Sequence, residues 1–125
     1  MKRLLFASAV ALLSAAAPLS AATPRCSSAP SESLVSSLVK QAPGLRSEVL
    51  RLALDASGCA AEKGLVKRSN LLTVIDYSVP STNPRLFTFD VKKKKLLFRE
   101  LVAHGKNSGG NVPTAFSNKH GSLAT

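Results

Sequence analysis

An α+β domain is what this sequence predicts, with helices first and an antiparallel β-meander after them. Three observations carry that reading. Between Leu34 and Lys63 apolar residues recur at three- and four-residue steps; between Leu71 and Ala103 they come in short runs rich in leucine, valine and phenylalanine; and the polar pair Ser69 and Asn70 separates the two regimes.

The first 22 residues read as a signal peptide: Lys2 and Arg3 are a positive start, Leu4 to Ala17 an apolar run, and Ser20 and Ala22 small residues placed for cleavage before Thr23. A bilayer span needs roughly 20 apolar residues, and Pro18 interrupts this run first. The expectation is therefore export to the periplasm or cell envelope, with no stable membrane insertion once the signal is gone. Residues 23–33, rich in Ser, Ala and Pro, are expected to be a flexible N-terminus.

A helical lead-in is expected over 34–69. Leu34, Val35, Leu38 and Val39 form an apolar face on a helix starting near Ser31 and ending before Pro43 and Gly44. A second helix, from about Arg46 to Lys63, carries Val49, Leu52, Ala53, Ala56, Cys59 and Ala60 as its apolar stripe; Arg51, Asp55, Glu62 and Lys63 face away, and Gly64 ends it. From residue 70 the chain turns extended. The segment LLTVIDYS (Leu71 to Ser78) is a strand, the stretch from Pro80 to Pro84 a loop, RLFTFD (Arg85 to Asp90) a second strand, Lys92 to Lys95 a turn, and Leu96, Phe98 and Leu101 to Ala103 a third strand. Beyond Gly105, glycines, asparagines and Pro113 predict a long loop without packed structure.

Net charge is +10 over 125 residues, and loss of Lys2 and Arg3 with the signal peptide leaves +8 on 103. In the cytoplasm that balance points to nucleic acid. Outside it, the available anions are wall polymers and membrane surfaces, so no nucleic-acid partner is expected. The lysine turn itself reads first as a solvated turn or a guard against edge pairing, and second as a contact for anionic glycan or lipid. Pairing of Cys26 with Cys59 would close a 34-residue loop in a compartment where disulfides persist. Spacing alone leaves that open, and Cys59 on an apolar stripe also suits a small buried side chain. Its position argues against a nucleophile served by His104 or His120. Two histidines and two cysteines without short paired spacing build no metal site, and no phosphate-binding glycine loop or nucleophile elbow is present.

Three blocks in order carry a family resemblance: LLTVIDYS with PST (Leu71 to Ser78, Pro80 to Thr82), LVAHGKNSG (Leu101 to Gly109) and FSN..GS (Phe116 to Asn118, Gly121, Ser122). Together they resemble the opening half of a murein L,D-transpeptidase catalytic domain of the YkuD-like type. The resemblance implies a mainly-β domain that acts on peptidoglycan stem peptides through a cysteine nucleophile, without metal or organic cofactor. In that family the catalytic histidine and the nucleophile segment follow the third block, so 70–125 is expected to be a truncated, partial domain with no catalytic residue of its own. What carries over is cleft lining: Gly105, Lys106, Asn107, Ser117, Asn118, Gly121 and Ser122, with His104 either joining them or serving as a hydrogen-bonded packing residue. The alternative is a non-catalytic, basic, exported module that binds the wall or a partner.

Overall fold

The computed structural model describes Cys26 and residues 29–68 and 70–125. The expected signal peptide (1–22) and part of the expected flexible N-terminus (23–25, 27 and 28) lie outside the described residues.

Helix α1 spans Glu32–Val39, and its start is set by Ser31, whose hydroxyl accepts a hydrogen bond from the Leu34 amide at 3.3 Å. Helix α2 spans Ser47–Glu62. Gly64, at φ +67°, takes the left-handed conformation that ends it, and the Leu65 amide bonds back to the Ala60 carbonyl. An ion pair from Arg51 to Glu32, at 2.5 and 2.7 Å, links the two helices on the solvent side. Cys26 and Cys59 form a disulfide with Cα atoms 5.3 Å apart, which answers the pairing question left open by spacing. The bond fastens the chain before α1 to the last turns of α2.

Strands β1 (Leu71–Ile75), β2 (Leu86–Asp90) and β3 (Lys95–Glu100) form one antiparallel sheet in sequence order, with Leu72 opposite Phe89, Val74 opposite Phe87 and Leu86 opposite Glu100. Alternation assigns the faces. Val74, Phe87 and Phe89 point to the helices and join Val35, Leu38, Ala42, Leu45, Leu50 and Leu54 in the core. Thr73 and Thr88, directly opposed on the other face, share a hydroxyl hydrogen bond of 3.1 Å. A bulge interrupts the register between β2 and β3: Thr88 faces Phe98 and Phe89 faces Leu96, so Leu97 is the extra residue. The side chain of Gln41 closes the open side of the lysine turn, donating to the Lys94 carbonyl (2.9 Å) and accepting from the Leu96 amide (3.1 Å).

Three expectations need correction. Of the expected α2 stripe, Val49 and Ala53 pack against the core, but the buried residues of α2 are Leu50 and Leu54, and Leu52 is 68% exposed. The third strand ends at Glu100 and does not continue through Leu101 to Ala103, because Glu100 already lies opposite Leu86, the first residue of β2. Beyond that point β3 has no ladder partner among the described residues, and the Val102 carbonyl bonds to the Arg85 side chain instead. Finally, the segment after Gly105 is folded against itself through a short 3-10 turn over Lys106–Ser108 and through hydrogen bonds to residues 122–125.

Candidate functional site

The end of the sheet where β1 leaves, β2 enters and β3 leaves gathers most of the residues singled out in the sequence. Two charged side chains are built into its base. Asp76 follows β1 on the inward register of Leu72 and Val74, and it is 2% exposed. It accepts bonds from the Ser78 hydroxyl (2.6 Å), the Ser78 amide (3.0 Å) and Arg46 Nε (3.2 Å). Burial pushes the Asp76 carboxyl up, but the Ser78 and Arg46 contacts outweigh it and hold the group below the ordinary carboxylate range.

Arg85 precedes β2 on the inward register of Phe87 and Phe89 and is fully buried. Among the described residues no carboxylate pairs with it. Its guanidinium is spread over acceptors: Nε and Nη2 donate to the Val102 carbonyl at 3.1 and 2.9 Å, Nη1 to the Val79 carbonyl at 3.0 Å, and Nη2 to His104 Nδ1 at 2.7 Å. The Tyr77 ring lies under it, with its centroid 5.1 Å from the guanidinium carbon, and stacks at a tilt on Phe116. One cation thus ties the β1–β2 loop, the exit of β3 and the histidine together. Arginine only donates, so Nδ1 of His104 is the acceptor and the ring proton sits on Nε2, which faces the Gly109 carbonyl at 3.4 Å.

Gly105 comes next, and its lack of a side chain is used. A Cβ there would lie 2.5 Å from the Leu123 carbonyl oxygen, 2.7 Å from the Ala124 carbonyl carbon and 2.8 Å from the Thr125 nitrogen, all main-chain atoms. The close approach lets the Gly105 amide donate to Thr125 Oγ1 (2.7 Å) and the Asn107 amide to the Leu123 carbonyl (2.9 Å). The Asn107 side chain donates to the Ser122 carbonyl, and the Ser117 amide to the Thr125 carbonyl. Ser108, fully buried, is the hub: its hydroxyl accepts from the Thr125 amide at 2.7 Å, and its carbonyl accepts from the Thr114 and Ala115 amides.

Gly105, Asn107, Ser117 and Ser122 therefore lie in one knot, with His104 at its base. Lys106, Asn118 and Gly121 are exposed beside it, as is His120; Gly121, at φ +75°, makes the turn that brings Ser122 back. Sequence reasoning missed Arg85, Asp76, Ser108 and Thr125. For the first two a signal existed, since stepping by two from Phe87 and Val74 puts both charges on the buried face.

Chemically, this end of the molecule offers hydrogen-bonding loops on a rigid base. It offers no sulfur nucleophile: among the described residues no cysteine is free, and the disulfide belongs to α2 and the segment before α1.

Residues 41–125 match the family model of the L,D-transpeptidase catalytic domain, and the chain belongs to that family. The match takes in the sheet and every loop of the site. Neither a curated protein nor a solved structure matches the chain.

Proposed function

We propose that this domain holds peptidoglycan stem peptides against the loops 105–109 and 117–122, and that these 125 residues alone carry out no acyl transfer. The family acts on peptidoglycan, and the observation that carries the reading is the Arg85 clamp. A buried cation fixes the His104–Gly105 corner and the β1–β2 loop to one frame, so that main-chain and side-chain groups are held in place before a peptide arrives. An extended stem peptide, rich in amides and carboxylates, suits such loops with Lys106 and Lys119 beside them. Acyl transfer by this family's chemistry needs a thiolate, and both sulfurs here are joined to one another.

Amide chemical-shift mapping with a synthetic tetrapeptide stem tests the binding half. Perturbations confined to residues 104–109 and 116–123 are expected, and changes centred on the helices would refute it. Intact-mass spectrometry after exposure to a carbapenem tests the other half, with an unmodified mass as the expected result.

A further inference from the structure

The far end of the sheet has a different character. There β1 begins, β2 ends and β3 begins, and the chain places Lys92, Lys93 and Lys94 in the β2–β3 turn and Lys95 at the start of β3. The loop from α2 into β1 reaches the same end: the Leu71 amide bonds to the Arg68 carbonyl, and the Val91 amide to the Asn70 carbonyl. That loop adds Lys63, Lys67 and Arg68, all exposed. Against these seven cations stand two carboxylates, Glu62 and Asp90. Asp90 is already engaged by the Lys93 amide and, at 3.9 Å, by the Lys93 ammonium. Among the cations lie exposed apolar side chains: Leu65 at 74%, Val66 at 40% and Leu71 at 39%.

From this juxtaposition we propose that the lysine end is a docking surface for an anionic lipid bilayer, with Leu65 and Val66 entering the interface and the lysines contacting lipid phosphates. A polyanionic polymer would engage the cations and leave the leucine and valine in water. A charged bilayer engages both, because apolar side chains gain from the acyl boundary while flanking lysines remain at headgroup level. The edge-guard reading of the lysines fits less well, since Lys92 to Lys94 are in the turn and only Lys95 is on β3. Docking here is peripheral. It leaves the loops 105–109 and 117–122, about 15–20 Å away along strands of five residues, facing away from the membrane. The inference does not depend on stem-peptide binding.

Cosedimentation of the full chain with vesicles tests it, comparing phosphatidylcholine doped with phosphatidylglycerol against phosphatidylcholine alone at low salt. Partition to the doped vesicles only is expected. It should weaken as ionic strength rises and the screening length falls below about 10 Å. A K92Q/K93Q/K94Q/K95Q variant should partition about 600-fold less well, each lysine at an anionic surface contributing roughly fivefold. L65S/V66S should lose about tenfold or more, without changing the slope against salt. Both substitution sets lie at exposed positions, and the circular dichroism of each variant checks its fold. No partition at low salt, equal partition to both vesicles, or wild-type partition by either variant overturns the proposal. So does salt-sensitive sedimentation with insoluble wall sacculi and none with vesicles, which would assign the lysines to a polymer.

Discussion

Replacing Gly105 by Ala tests how the site loop is held. The residue has φ −58°, so alanine suffers no backbone penalty there, and the whole effect arises from contact. The new methyl group would lie within 2.8 Å of three main-chain atoms of residues 123–125, none of which swings away like the end of a flexible side chain. Segment 123–125 must leave. Its departure breaks four hydrogen bonds: Gly105 amide to Thr125 hydroxyl, Asn107 amide to Leu123 carbonyl, Ser117 amide to Thr125 carbonyl, and Thr125 amide to Ser108 hydroxyl. At about 1 kcal/mol net for each bond, local opening becomes easier by about 4 kcal/mol, or nearly a thousandfold. Hydrogen exchange reads this directly, and the amides of Asn107, Ser117 and Thr125 should lose protection by that factor while those of Phe87 and Phe89 keep theirs. Gly110→Ala is the control, because a Cβ there meets nothing within 4 Å. It should leave exchange unchanged or stabilise slightly through the unfolded state. Retained protection at the three amides in Gly105→Ala would refute the argument that close backbone approach builds the loop.

Leu50→Ala should cost about 2–5 kcal/mol in urea unfolding and Leu52→Ala less than about 0.5, and a reversal would restore the stripe first expected for α2. Arg85→Lys should destabilise by about 2–4 kcal/mol, because one ammonium cannot span the Val79 and Val102 carbonyls and His104 together; equal stability would show that charge alone matters there. Asp76, with its folded pKa below the unfolded one, contributes stability that is complete above the ordinary carboxylate range and lost as pH falls through the depressed folded value. The difference in unfolding free energy between wild type and Asp76→Asn should therefore shrink on acidification from neutral pH, and a constant difference would contradict the assignment. Reduction of Cys26–Cys59 should cost about 3–4 kcal/mol by loop entropy, and a thermal midpoint unmoved by reductant would refute that estimate.

Element type and order were legible because local chemistry and burial agree. Ser31 caps, Gly64 terminates, and Phe87 and Phe89 alternate inward. The face of α2 was misread because alanines surround it. At about 100° per residue, Leu50 and Leu54 point nearly the same way, whereas Leu52 is some 200° from Leu50. Alanine supplies little burial energy on either side, so the two leucines that meet α1 and β1 decide the rotation. The position of Leu45 and Ala42 in the core, ahead of α2, is consistent with that choice.

The site was less legible for a reason that differs between its parts. Arg85 and Asp76 obey the same two-residue alternation that places the phenylalanines, but composition alone assigns charged residues to the surface, and here that habit overrides the period. Ser108 and Thr125 follow no period. They meet across 17 residues of irregular chain, through a contact that only the absence of a Gly105 side chain permits. The result is a gradient along one strand. Running back from Phe89 and Phe87 to Arg85, the inward positions pass from hydrocarbon packing to a hydrogen-bonded cation. Apolar packing tolerates small slips, whereas a guanidinium with three fixed acceptor groups does not. The core therefore becomes geometrically strict at the end of the sheet where the loops of the site must be held.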